Sequence, residues 1–295
     1  MHSTKPKSIE QWWDENPFSY GTSGKNTDQV GSVTDEEMTL EYFDTLSSRF
    51  KKHGGVLNPN ADTRPILTEL VDYNSLRGKK VLDIATGPGI FLVEFAKVGA
   101  LATGIDITSY AIKHASRNLE LRNLKADVIK MDAQKLEFPD ATFDYVHAWG
   151  CVMHMPDTEK AMREIHRVLK PHGKALIYIY NRNSWTFWFN FILIRGILMG
   201  KLLTYKFDID KLTTRYADGA TIGGSPLAKF YSKRKFKAMI DSCGFSKSKY
   251  TIWSRSSEAE SWPLRSFPLF KFLPRSTRKW LSSKMGLALI ALVEK

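Results

Sequence analysis

The chain has 295 residues, 43% of them hydrophobic, enough for one large α/β domain with additions or for two small domains. Its formal charge of +12 is uneven, with −4 on residues 1–169 and +16 on residues 170–295. Two cysteines, Cys151 and Cys243, without CxxC spacing argue against a disulfide framework and a zinc pattern, so no metal is expected. The first residues are polar and lack the apolar run of a signal peptide, which makes a cytoplasmic location the expectation.

Residues 1–33 are polar but hold an aromatic cluster, Trp12, Trp13, Phe18 and Tyr20, around Asn16-Pro17, and read as an ordered arm entering a Gly/Ser-rich loop. Thr34-Asp-Glu-Glu37 has capping-box spacing and predicts a helix start, continued by Leu40, Phe43, Leu46 and Phe50. After the Asn58-Pro59 break a second helix is expected over about 65–74, on the stripe Ile66, Leu67, Leu70 and Val71. From Lys79 the chain alternates. Strands are predicted at 80–84, 101–105, 127–131, 143–149 and 174–180, and helices at 89–98, 109–121 and 158–169. The last helix is stopped by Lys170-Pro-His-Gly173. That rhythm implies a mostly parallel sheet with right-handed crossovers.

Residues 185–203 form a 19-residue stretch dense in aromatic and aliphatic side chains, with Arg195 at its centre. A central Arg costs about 2.5–3.5 kcal/mol in a membrane span, so a helical insertion packed on the domain is expected, with contact at a membrane surface as the alternative. A helix at 232–242 and strands at 247–253 and 286–293 follow. Residues 262–284 interleave Trp262, Phe267, Phe270, Phe272 and Trp280 with Arg and Lys. The basic half points to an anionic partner; an anionic membrane surface, nucleic acid and a phosphorylated small molecule all fit.

The most informative segment is Lys80-Val-Leu-Asp-Ile-Ala-Thr-Gly-Pro-Gly89, a short apolar run ending in Asp83, then a turn with Gly87 and Gly89, then a helix. Gly87-x-Gly89 lacks the third glycine of a dinucleotide fingerprint, and no Gly-Lys-Ser/Thr follows to make a phosphate loop. Asp83, Asp106 and Asp132 each fall at the carboxyl end of a separate strand, where open α/β sheets bind ligands. Together they suit a nucleoside with several polar groups and no phosphate.

Val81-Leu-Asp-Ile-Ala-Thr-Gly-Pro-Gly89, Gly104-Ile-Asp-Ile107, Met131-Asp-Ala133, Phe143-Asp-Tyr-Val-His-Ala-Trp-Gly150 and Arg163-Glu-Ile-His-Arg-Val-Leu-Lys-Pro-His-Gly173 resemble the class I S-adenosylmethionine (SAM) methyltransferases. The nearest likeness is to the type 11 branch, similar to quinone-biosynthesis enzymes. One departure is Ala85, where many members carry glycine. The resemblance implies a Rossmann-like doubly wound, seven-stranded, mostly parallel α/β sheet, with a helical N-terminal arm and a lid insertion. It implies an arm and covering helices over 1–74, a SAM-binding core over 75–181, a lid and acceptor insertion over 182–232, and the rest of the sheet over 233–295. It also implies SAM as cofactor. Gly87 and Gly89 then admit the methionine part without a Cβ in the way, and Asp83 serves its ammonium through a water. Asp106 accepts from both ribose hydroxyls and Asp132 from the adenine amine. The Ala133 backbone serves a ring nitrogen, Ile107 and Met131 flank the adenine, and Ala85 and Trp149 complete the set.

Methyl transfer to a hydroxyl benefits from a base with a near-neutral pKa, so His is the first suspect. His154 lies just past the fourth strand and is the candidate catalytic residue, whereas His147 and His166 read as packing residues. Tyr20, Tyr180, Asn181, Arg215, Tyr216 and Tyr231 are the candidate acceptor-binding residues. The segments around Trp12-Trp13…Tyr20, Tyr180-Asn181-Arg182 and Asp218-Gly219…Ser225-Pro226…Tyr231-Ser232 resemble a set of bacterial methyltransferases, which extends the likeness to nearly the whole chain. The reading is methylation of a small-molecule acceptor, a hydroxyl or carboxylate of a metabolite, sugar or lipid-like compound. The alternatives are C-methylation of a quinone-like ring, an RNA methyltransferase, and a peripheral membrane or partner-binding protein with a vestigial SAM site. Nucleic acid is disfavoured because no base-recognition motif or RNA-binding domain is present.

Overall fold

The computed structural model describes residues 8–18, 32–53, 64–218, 220–253, 274, 277 and 284–295. Its centre is β1 (Lys80–Ile84), a strand buried on both faces after Lys80, as a central strand of a parallel sheet must be. β2 (Leu101–Asp106) and β3 (Asp127–Lys130) lie to one side, and β4 (Phe143–Trp149) and β5 (Leu169–Asn181) to the other, all parallel. β7 (Lys247–Trp253) and β8 (Ala288–Glu294) extend the far edge, with β8 antiparallel to both neighbours, giving the order β3-β2-β1-β4-β5-β8-β7. A two-residue β6 (Phe230–Tyr231) pairs with Tyr180 and Asn181, beyond the point where β4 has ended. The expected seven strands are therefore present with one short addition. The order reverses between β1 and β4, and open α/β sheets place their ligand crevice at such a switch.

Helices cover the sheet for reasons visible in their side chains. α3 (Ile90–Lys97), between β1 and β2, buries Ile90 through Phe95 in succession, as a helix enclosed on all sides does. α4 (Ser109–Leu121) is capped by Thr108, whose hydroxyl accepts from Ala111 N. α5 (Thr158–Val168) buries Ala161, Met162, Ile165 and Val168 on one stripe. α8 (Lys233–Ser242) is capped by Ser232. Predicted boundaries at 109–121, 143–149 and 247–253 coincide with the observed ones.

Three local expectations change, and a fourth, the helical insertion packed on the domain, is met with added detail. Residues 66–70 form turns and 73–76 a 3₁₀ helix, so no α-helix spans 65–74; Leu67 sits at φ 55, a left-handed conformation that interrupts it. The Thr34–Glu37 box forms in part, with Glu37 accepting from Thr34 N at 2.7 Å. The helix itself, α2 (Leu40–His53), begins after Thr39, whose hydroxyl takes the Tyr42 N–H. Residues 170–173 do not separate α5 from the next strand: β5 starts at Leu169 and carries them, with an irregular register near Phe143. Finally, the apolar insertion is a π-helix, Thr186–Leu198, followed by α6 (Lys201–Thr204) and α7 (Ile209–Ala217). Asn190 and Arg195, five residues apart, meet there, Nε donating to Oδ1 at 3.1 Å. The central Arg195 is accommodated by lying 4.2 Å over the Tyr216 ring of α7. No helix among the described residues is long and apolar enough to cross a membrane. The aromatic segment at 262–284 lies almost wholly outside the described residues.

Candidate active site

A cavity of about 1,120 Å³ opens at the carboxyl ends of β1, β2 and β4. Ligand pockets for one drug-sized molecule run to about 300–1,000 Å³, so this space can hold a nucleoside and a second small molecule together. At one end lies the turn after β1. Gly87 has φ 53, and a Cβ placed there would meet nothing within 4 Å, so its backbone borders open space. Gly89 behaves differently: at φ 77 its Cβ would lie 3.2 Å from Ala115 of α4, and the residue does not line the cavity. Its role is helix packing, not the ligand approach expected of it.

The three strand-end acids are bound into the loop network. Thr86 Oγ1 donates to Asp83 Oδ2 at 2.7 Å, and His147 Nδ1 donates to Asp83 Oδ1 at 3.0 Å. His147 is thereby a buried structural partner, with its ring 4.2 Å from that of Phe91 and tilted to it by 47°. Asp106 Oδ1 accepts from both the N–H and the hydroxyl of Thr108 at 2.9 Å, and Oδ2 accepts from Gly87 N at 3.1 Å. A carboxylate offers about four acceptor positions, so beside these three bonds one remains, on Oδ2. Burial raises the Asp106 pKa, opposed by these hydrogen bonds. Asp132 Oδ1 accepts from Gln134 N at 2.9 Å. Ala85, Ile107, Met131, Ala133 and Trp149 all line the cavity with them.

At the other end, His154 Nδ1 donates to Leu227 O at 2.6 Å, and its Nε2 stands 3.5 Å from Asp218 Oδ2. Nε2 is buried and has no hydrogen-bond partner among the described residues. Tyr180 Oη lies 2.9 Å from each oxygen of Asp218 and donates to that carboxylate. Trp13 of α1 (Ile9–Glu15) sets its ring edge-on to His154 at 5.2 Å. The α1 arm is tied down across the cavity, with Asp14 Oδ1 accepting from Tyr110 N at 2.8 Å and Glu10 pairing with Lys130 at 2.7 Å. Phe18, Tyr178, Tyr216, Phe230 and, from the π-helix, Asn190 and Phe191 complete this end. No Lys or Arg lines the cavity among the described residues, whereas five carboxylates do: Glu10, Asp83, Asp106, Asp132 and Asp218. Cys151 is buried in the wall, and burial pushes its thiol pKa up, which removes it as a thiolate nucleophile.

Of the candidate acceptor residues, Tyr180 and Tyr216 line the cavity. Asn181, Arg215 and Tyr231 do not. Asn181 Nδ2 donates to Gly286 O, Arg215 Nη1 to Ala220 O at 2.6 Å, and Tyr231 Oη to Thr158 Oγ1, so all three hold the frame. Tyr20 lies outside the described residues. Sequence reasoning missed Trp13 and Asp218 as site residues, although both stood in segments already marked by their resemblance.

A family model described as a methyltransferase domain matches residues 82–177. The ubiquinone biosynthesis O-methyltransferase of Pseudomonas aeruginosa is 31% identical over 159 residues, covering 53% of this chain and 68% of the relative. The chain belongs to the class I SAM-dependent methyltransferases. The corresponding Chromobacterium violaceum enzyme is 29% identical over 156 residues, 50% of this chain and 65% of its own length, so the chain spans about two thirds of these relatives. Among solved structures, a SAM-dependent methyltransferase from Methanosarcina mazei aligns at TM-score 0.52 and 20% identity, over 79% of this chain and 98% of that one. A Haemonchus contortus phosphoethanolamine N-methyltransferase, in complex with phosphomonomethylethanolamine and S-adenosylhomocysteine, aligns at 0.54 and 16%, over 98% and 60%. These two share the fold. The family's cofactor is SAM, and the open cradle at Gly87 beside the free acceptor position of Asp106 fits a nucleoside without phosphates.

Proposed function

We propose that the protein methylates a hydroxyl group of a neutral, largely apolar small molecule. The observation that carries this reading is the His154 end of the cavity, walled by aromatic rings, holding one carboxylate and lacking any cation among the described residues. An anionic acceptor would be desolvated there beside Asp218 with no Lys or Arg among the described residues to pair it. That argues against the carboxylate and phosphorylated acceptors that composition alone allows. The O-methyltransferase names of the relatives support a hydroxyl.

SAM, when bound, supplies an electrophilic methyl group. Gly87 would admit its methionine part, Asp106, Asp132 and the Ala133 backbone would hold its nucleoside, and Ile107 and Met131 would border the base. The chain's own task is to orient the acceptor, exclude water and take up the hydroxyl proton. The bond to Leu227 O fixes the proton of neutral His154 on Nδ1 and leaves the lone pair on Nε2. A buried acceptor without a donor calls for one, and the acceptor's hydroxyl supplies it. The proton then arrives at Nε2 facing Asp218, whose carboxylate stabilises the imidazolium while Tyr180 holds it in place. Trp13, edge-on to His154, covers that ring on the side of the arm.

The test is methyl incorporation from SAM into a panel of phenols and apolar alcohols, aryl carboxylates, phosphorylated metabolites and RNA, read by mass spectrometry. Turnover is expected with the neutral hydroxyl compounds. Turnover confined to the anionic compounds or to RNA would overturn the reading.

A further inference from the structure

The π-helix that walls the His154 end has a second face. Thr186, Asn190 and Phe191 line the cavity, while Trp188, Leu193, Ile197 and Leu198 lie outside at 50%, 38%, 58% and 71% exposure. The chain turns at Gly200 and runs through α6, adding Met199, Leu203 and Phe207 at 54%, 70% and 68%. Of the eleven strongly exposed large apolar residues among those described, seven fall between 188 and 207. Single exposed apolar side chains need no explanation, but such a concentration marks a contact surface.

The charge of the segment says what kind of surface it meets. Residues 182–207 contain Arg182, Arg195, Lys201 and Lys206 and no Asp or Glu. Arg195 is turned inward onto Asn190 and Tyr216. Lys201 and Lys206 flank the apolar tip, and neither has an ion-pair or hydrogen-bond partner for its ammonium among the described residues. Apolar side chains beside unpaired ammonium groups match the two layers of a bilayer interface, acyl boundary and lipid phosphate. A symmetric contact between two copies of this segment would bring its basic residues together with no acid of the segment to pair them.

We propose that the turn formed by the π-helix and α6 docks the protein on an anionic bilayer surface through Ile197, Leu198, Met199, Leu203 and Phe207, with Lys201 and Lys206 on the lipid phosphates. The docked helix is also the cavity wall, which sets the site beside the bilayer. The docking itself requires neither SAM nor turnover, so it stands or falls apart from the methyl-transfer reading.

Flotation with phosphatidylcholine vesicles, with and without phosphatidylglycerol, tests it on the full chain. The protein is expected to float with the phosphatidylglycerol vesicles at low salt and to be released as salt rises. A Leu198→Asn/Leu203→Asn/Phe207→Asn variant should lose binding by on the order of tenfold or more, and Lys201→Glu/Lys206→Glu should lose it on anionic vesicles. Circular dichroism and SAM calorimetry, unchanged in both variants, show that the fold persists. A protein that stays unbound on phosphatidylglycerol, or variants that bind like the parent, would overturn the proposal. So would a dimer in light scattering that the triple variant splits while no vesicle is bound, since the patch would then belong to a second copy.

Discussion

At the Gly87 end of the cavity, the polar groups come from strand ends held by the sheet: Asp83 from β1, Asp106 from β2, Asp132 just past β3. At the His154 end none of them does except Tyr180. Trp13 comes from the arm, His154 from a 3₁₀ turn, Asp218 from the end of α7, and Asn190 and Phe191 from the π-helix. The first end is fixed by register and by its own hydrogen bonds, so it can present one cofactor in one way. The second is assembled from four separate segments laid on the frame, where changes of side chain cost the sheet nothing. A fold that keeps its donor and varies its acceptor is built in this manner.

The sharpest way to separate the two ends is His154→Gln. Loss of a positioned general base lowers turnover by about 10²–10⁴-fold, and SAM affinity should be unchanged, because no Gly87-end residue touches the ring. Stopped assays for kcat with calorimetry for SAM read both. An unchanged kcat would remove His154 from the chemistry.

The reciprocal change is Asp106→Ala. It removes the remaining acceptor position and also the partner of Gly87 N and Thr108. Hydrogen bonds to a charged group contribute about 1.5–3 kcal/mol each, so SAM should bind on the order of a hundredfold more weakly. Calorimetry that shows native affinity would move the ribose contact elsewhere.

These two ends were unequally legible in the sequence, for a physical reason. Asp83, Asp106 and Asp132 announce themselves because each follows an apolar run at a strand end, and a local pattern is enough to place it. Asp218 has no such pattern; tertiary contacts, among them the pairing of β6, the Leu227–His154 bond and the Tyr180–Asp218 bond, bring its neighbourhood to the site. Arg215 and Asn181 misled for the converse reason. Residues of binding type near a site are equally the residues that tie loops together, and both spend their donors on backbone carbonyls. The Thr34–Glu37 box forms its Glu37–Thr34 bond but does not start the helix: a second hydroxyl, Thr39, sits closer to the apolar stripe and takes the cap.

A third prediction concerns pH at the Gly87 end. His114 of α4 stacks on Tyr110 at 3.7 Å and packs near Tyr42 and Phe43, and Tyr110 and Tyr42 line the cavity. Burial lowers its pKa to about 4, against about 6.5 in an unfolded chain. The unfolded state therefore binds the proton first. Stability is intact above pH 6.5 and is lost as pH falls from there toward 4, by about 3 kcal/mol for this fully buried ring. Urea unfolding at pH 7 and pH 4.5 checks it: His114→Gln should flatten the difference, and an equal pH dependence in the variant would place the effect on other groups.

The smallest effect is expected at Ala85, which lines the cavity at φ 55, a conformation that costs a non-glycine residue about 1–2 kcal/mol. Glycine there relieves that strain. It also gives the unfolded chain more conformations to lose, a penalty of about 0.4–1 kcal/mol. The two oppose each other, so Ala85→Gly should change stability by less than about 1 kcal/mol, on the stabilising side. Ala85 lines the cavity, and none of the hydrogen-bonded partners of Asp83 or Asp106 depends on its methyl group. SAM affinity should accordingly stay within about threefold, under 0.7 kcal/mol. Thermal unfolding and calorimetry on the same preparation measure both. A marked loss of affinity without a loss of stability would mean that the Ala85 methyl itself packs against the cofactor, and the Gly87 end would then be tuned by side-chain contact as the His154 end is.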